Sequence, residues 1–181
     1  MTIFTIGHST RPLDELVEML RAHGVERLVD VRTIPRSRTN PQFNRETLGP
    51  ALHNRGLSYR HIKALGGLRH ARADSINTAW RNASFRGYAD YMQTPEFTAA
   101  LEKLMELARE KPTAIMCAEA VPWRCHRSLI ADALIARGWR VLDIMSVTSA
   151  RQHELSPLAE VHGKQVVYPG ERSPQGTLFA R

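Results

Sequence analysis

The chain has 181 residues, a formal charge of +7 and a hydrophobic fraction of 43%, enough for one domain with an ordinary core. No apolar run approaches the ~20 residues of a membrane helix, and the start, Met1–Gly7, lacks a secretory pattern. With two cysteines, the expectation is a cytoplasmic protein with free thiols, and its positive charge favours an anionic partner, nucleic acid first.

The first unit reads as β-α-β. Ile3–Ile6 forms a strand, Gly7-His8-Ser9-Thr10 a turn, and Leu13, Leu16, Val17 and Leu20 repeat at helical spacing. Thr10 is the expected N-cap, with Pro12 in the first turn and Gly24 at the helix end. Leu28–Val31 is the next strand, and a short right-handed crossover makes the two strands expected parallel neighbours. The loop after it carries Arg32, Arg36 and Arg38 within seven residues, with Ser37 between them, and reads as an anion clamp or as a solvated basic surface.

Asn44–Arg55 is an expected helix and Leu57–Ile62 a short strand. Leu65-Gly66-Gly67 then makes a simple turn, or lets the backbone approach a phosphate. Up to Thr94 the chain is irregular and mixes arginines with Trp80, Tyr88 and Tyr91, a pattern that suits single-stranded nucleic acid or plain core packing. Thr94-Pro95 opens a long helix with Phe97, Ala100, Leu101, Leu104 and Leu107 on its buried face.

The second β-α-β unit holds the chemistry. Thr113–Met116 is a buried strand, Pro122 opens a helix continued by Leu129, Ile130, Ala133 and Leu134, and Val141–Ile144 is the following strand. Between strand and helix lie Cys117, Glu119, Cys125, His126 and Arg127. If the strands are parallel, their carboxyl ends bring this turn together with His8, Ser9, Asp30 and Arg32. Cys125 is then a nucleophile with His126 or His8 as base, or a buried structural cysteine. Cys117 reads as core. Asp30 and Glu119 are candidate acid and base, or partners of Arg32 and Arg127; Arg127 near a helix start would hold an anion. The spacing of Cys117, Cys125 and His126 matches no recognised zinc pattern, so no metal is expected and no cofactor is assigned.

Thr5-Ile6-Gly7-His8-Ser9-Thr10, Asp30-Val31-Arg32 with Pro35-x-Ser37-Arg38, Gly56-x-x-Tyr59, Leu65-Gly66-Gly67 and Cys117-Ala118-Glu119-x-x-Pro122-x-x-Cys125-His126-Arg127 occur in this order. Together they resemble the bacterial proteins grouped as domain of unknown function 488, from about Thr2 to Tyr168. The resemblance implies one α/β domain and marks these residues, Tyr59 included, as signature positions; it implies no reaction.

The expected architecture is therefore a single three-layer α/β domain, residues 1–168, with a mainly parallel central sheet built from two β-α-β units. Lys164–Tyr168 would be an edge strand and 169–181 a flexible tail. In that tail Gln175, Leu178 and Phe179 resemble the short peptide by which bacterial repair proteins dock on the DNA sliding clamp, with Gly176 in place of its usual Leu. Three functions fit: an enzyme acting on nucleic acid or a phosphorylated small molecule, a non-catalytic DNA-associated module held to the clamp, and a thiol- or metal-dependent small-molecule enzyme.

Overall fold

The computed structural model describes residues 1–171. Strand β1 (Thr2–Gly7) passes through helix α1 (Leu13–Ala22) to β2 (Arg27–Asp30), and α2 (Arg45–Asn54) leads to β3 (Ser58–His61). Helices α3 (Ala83–Tyr91) and α4 (Pro95–Glu110) precede β4 (Thr113–Cys117), and α5 (Arg127–Ile135) precedes β5 (Arg140–Ile144). Three short strands follow: β6 (Ala150–Gln152), β7 (Glu160–His162) and β8 (Gln165–Val167). The first helix buries Leu16, Val17 and Leu20 and keeps Asp14 and Glu15 in its first turn, but its N-cap position is Pro12 rather than Thr10, with no side-chain cap. At α4 the cap is as read: Thr94 accepts from Phe97 N ahead of Pro95.

The central sheet has six strands in the order β3-β2-β4-β1-β5-β6. Strands β1 to β5 run parallel and β6 pairs antiparallel with β5. The expected adjacency of β1 and β2 is corrected: β4 lies between them, just as β1 lies between β4 and β5. The reason is burial. All five residues of β4 are buried, as suits a strand covered on both faces. The expected edge strand near the C-terminus is corrected too. β8 pairs with β7 in a separate two-stranded sheet, while β6 takes the edge beside β5.

Chain direction sets the layers. From β1 through β2 to β3 the crossovers advance toward one edge; from β3 through β4 to β5 they return, so right-handed connections put their helices on opposite faces. One core layer joins Leu16, Val17 and Leu20 of α1 and Leu48 and Leu52 of α2 to Ala114 and Met116 of β4. The other joins Leu101 and Leu104 of α4 and Leu129, Ile130 and Leu134 of α5 to Ile115 and Cys117. Strand alternation therefore aims Cys117 at the α5 side.

Candidate functional site

Strand β4 ends where the chain changes face. Its neighbours β1 and β2 send their loops to the α1–α2 side, while β4 continues toward α5, which opens a crevice at its carboxyl end. The β1–β4 pairing runs on past the strands, His8 N donating to Cys117 O at 3.0 Å and Ser9 N to Ala118 O at 2.9 Å. Ser9 takes a left-handed backbone, φ 49°, which is uncommon for a residue with a Cβ. A side chain at Gly7 would run into the carbonyl oxygen of Glu119, so only glycine lets the segment after β4 lie across the end of β1.

The helix expected to open at Pro122 is interrupted. Pro122–Arg124 makes one 3-10 turn, Cys125 is extended (φ −134°, ψ 145°), and α5 begins at Arg127. The break folds Cys125 back over the strand end, so that its sulfur lies against that of Cys117, with the Cα atoms 7.3 Å apart. The two cysteines expected as separate free thiols are thus brought together as a pair. Two residues eight positions apart meet because the turn reverses the chain.

Each sulfur has its own polar neighbour. Arg127, only 1% exposed, donates from Nη1 to Cys117 Sγ at 3.4 Å and from Nη2 to Ala120 O at 3.1 Å, while its Nε is buried with no partner among the described residues. Burial pulls the Arg127 pKa down to about 10, with Asp143 and Glu119 opposing, so the guanidinium stays charged at neutral pH. The His126 ring donates from Nε2 to Val31 O at 2.9 Å, which leaves the Nδ1 lone pair facing Cys125 Sγ at 3.6 Å. Burial lowers the His126 pKa to about 4, so the ring is neutral. A Cβ at Gly67 would stand 2.6 Å from this Nδ1, which explains a glycine there without any phosphate.

Both cysteines and His126 line a cleft of about 570 Å³, with Arg36 and Arg124 contributing positive charge and Leu68 and Phe85 apolar wall. Glu119 is exposed on the same cleft. Arg32 also reaches it, but not as a free anion ligand. Its Nε and Nη2 bind the two oxygens of fully buried Asp30 at 2.9 and 2.6 Å, Nη2 also donates to Phe43 O at 2.7 Å, and Nη1 faces His8 Nε2 at 3.3 Å.

Asp30, Tyr59 and His8 belong to the α1–α2 side. Tyr59 donates its hydroxyl to Asp30 Oδ2 at 2.6 Å, and burial with the Asp30 charge raises its pKa. His8 bonds Ser9 O through Nδ1 at 2.8 Å and stacks on Phe43 at 4.3 Å; burial lowers its pKa to about 4. It faces Arg32 rather than a cysteine, so of the two bases considered for Cys125, His126 is the one beside it.

The remaining arginines of the expected clamp do not converge. Arg127 is spent on Cys117 and a carbonyl, Arg36 pairs with Glu46 at the surface, and Arg38 is exposed. Ser37 shapes its own loop, its N bonding Asn44 Oδ1 and its Oγ accepting from Asn40 N. Gly66 is pressed against the backbone of Thr33. Among the aromatics, Trp80 stacks on Phe85, and Tyr91 lies 3.5 Å under the Arg69 guanidinium. Gln175, Leu178 and Phe179 lie outside the described residues.

Two further features belong to this end of the sheet. Arg124 lines the cleft, and its position next to Cys125 is a usable signal. The other is a second polar cluster. His153 faces Asp143 Oδ2 from Nδ1 at 3.1 Å and Asp132 Oδ1 from Nε2 at 3.2 Å, beside a cavity of about 390 Å³. Thr5 and Tyr168 donate to the same two carboxylates at 2.6 and 2.7 Å. Burial opposes a charge on His153, but hydrogen bonds to Asp132 and Asp143 outweigh it and raise the pKa to about 9.

Among the described residues there is no group of three or more His, Cys, Asp or Glu able to hold a metal ion, and no helix long and apolar enough to cross a membrane. No curated protein and no solved structure matches the chain. The sequence model of the domain of unknown function DUF488 matches residues 12–134, more than half of the chain, and the chain belongs to that family.

Proposed function

We propose that the protein is a thiol-dependent enzyme acting on an anionic substrate held in the cleft at the end of β4. The observation that carries this is the placement of His126 Nδ1 at 3.6 Å from Cys125 Sγ and of Arg127 Nη1 at 3.4 Å from Cys117 Sγ, in one crevice. A neutral imidazole anchored through its far nitrogen can accept the thiol S–H and relay its proton during attack, and a buried guanidinium favours a thiolate. Arg124 on the cleft, with a formal charge of +7 on the chain, favours an anion over a neutral substrate. Two acceptors, Nδ1 and a sulfur without hydrogen, face each other when the cysteines are joined. With Cys125 as a thiol, S–H···N pairs them, so the polar surroundings suit the dithiol.

The test is alkylation of the reduced protein by iodoacetate and by neutral iodoacetamide across pH. The expected result is a preference of Cys125 for iodoacetate over iodoacetamide that Arg124→Ala diminishes. Equal labelling by the two reagents refutes the reading. A second reading, a DNA-associated module recruited to the sliding clamp, rests on the basic charge and on Gln175, Leu178 and Phe179. Clamp binding abolished by Phe179→Ala would support it, and absence of binding by the intact chain would exclude it.

A further inference from the structure

Resting on the thiol reading above, we infer that Cys117 and Cys125 act as a pair, and that the substrate class is an anionic disulfide which the protein reduces by forming its own Cys117–Cys125 bond. Three observations lead there. The sulfurs already meet across the turn. They are differently equipped, Cys125 with a proton acceptor and Cys117 with a cation. Both line the cleft that Arg124 borders, where Cys125 is the less buried, 5% against 2%. A single-nucleophile enzyme has no need of a second sulfur within bonding reach of the first, whereas a dithiol reductant depends on one.

The order of events follows from these neighbours. Cys125, its S–H facing His126 Nδ1, gives up its proton as its sulfur attacks one sulfur of the substrate R–S–S–R′; that S–S bond breaks, and the proton passes by way of His126 to the departing R–S⁻ in the same step. Cys125 is now joined to R′–S. Cys117, a thiolate beside Arg127, attacks the Cys125 sulfur; the mixed disulfide breaks and R′–S⁻ leaves as the anion. Two electrons have passed from the cysteine pair to the substrate, one proton has moved from Cys125 to R–SH, and total charge is unchanged. An external dithiol reductant returns the pair to its starting state.

Oxidised glutathione, an anionic disulfide, is the probe. The fully reduced protein is mixed with it, quenched with acid at intervals and weighed intact by mass spectrometry, in parallel with the alkylation assay described above. The expected course for the unaltered protein is release of both glutathione halves, ending in a species two hydrogens lighter without adduct. Cys117→Ser should stop at a stable glutathione adduct on Cys125, and Cys125→Ser should react more slowly than Cys117→Ser by at least about tenfold, the loss expected when base-assisted attack is removed. The pairing is overturned if the unaltered protein accumulates glutathione adducts on its cysteines without the lighter species. The assigned order is overturned if Cys125→Ser reacts as fast as Cys117→Ser. Normal, anion-preferring alkylation beside either failure leaves the nucleophile reading standing; failure of both assays removes it as well.

Discussion

His153→Asn is the most informative single change. Both ring nitrogens face carboxylate oxygens, Asp143 at 3.1 Å and Asp132 at 3.2 Å, and both aspartates are buried, so the ring is held as an imidazolium. Its folded pKa of about 9 stands above the unfolded value of 6.5. A raised pKa contributes stability that is complete below pH 6.5, declines as pH rises, and is gone above about 9. At ~1.36 kcal/mol per unit the contribution is at most about 3 kcal/mol. Asparagine removes the cation and leaves two buried carboxylates facing each other, a loss of about 3–5 kcal/mol near neutral pH. Urea unfolding of both proteins at about pH 6 and about pH 9.5, at fixed ionic strength, separates this from other alkaline titrations: the gap between them should narrow by roughly 3 kcal/mol at the higher pH. An equal gap at both pH values would show that His153 carries no charge in the fold, and the reasoning would fail.

Three further outcomes follow from the site. The unaltered protein should lose stability as pH falls through 6.5 toward about 4, because unfolding lets His8 and His126 take up protons that their burial refuses; acid unfolding midpoints of His126→Asn should show a shallower limb. Asp30→Asn strips the carboxylate from Arg32, which is 7% exposed, and should cost about 3–5 kcal/mol, more than the roughly 1.5–3 kcal/mol of Tyr59→Phe, which removes one hydrogen bond to a charged group; the ranking is read from urea midpoints, and the reverse order would deny Asp30–Arg32 its central place. In Gly67→Ala the new methyl group pushes the His126 ring off Cys125, so iodoacetamide labelling of Cys125 should slow by roughly ten- to a hundredfold while the protein stays folded by circular dichroism.

Where the sequence read well, the signal was local. Leu16, Val17 and Leu20, or Phe97, Ala100, Leu101 and Leu104, repeat on one helical face and are buried, with Met19 and Met105 beside them, while Leu13 and Leu107 are only partly covered. Helix α3 escaped notice because its buried residues, Gly87, Tyr88, Ala89 and Asp90, are consecutive rather than periodic; Asn82, which caps it by accepting from Ser84 N and Phe85 N, was the available clue. The reading of Arg32 as an anion ligand overlooked its neighbourhood. A carboxylate two positions earlier in extended chain lies on the same side, and Asp30 claims it. The pairing of Cys117 with Cys125 depends on the extended break at Cys125, which Pro122 and the apolar residues of α5 had masked as continuous helix. The Asp132–Asp143–His153–Tyr168 cluster had no local signal, since its members meet only through tertiary packing.

The place of β4 between β1 and β2 also bears on how the molecule comes into being. During synthesis β1 and β2 emerge early, yet neither pairs with the other: β1 bonds β4 and β5, and β2 bonds β3 and β4. Until Thr113–Cys117 has been made, the growing chain can close only the β2–β3 ladder, and one edge of β2 and both edges of β1 stay open to other chains. Pairings between strands so far apart in sequence are slow to form. The strand that links β2 to β1 is the one that carries Cys117, so the crevice and its paired sulfurs exist only once the two halves of the sheet have been joined.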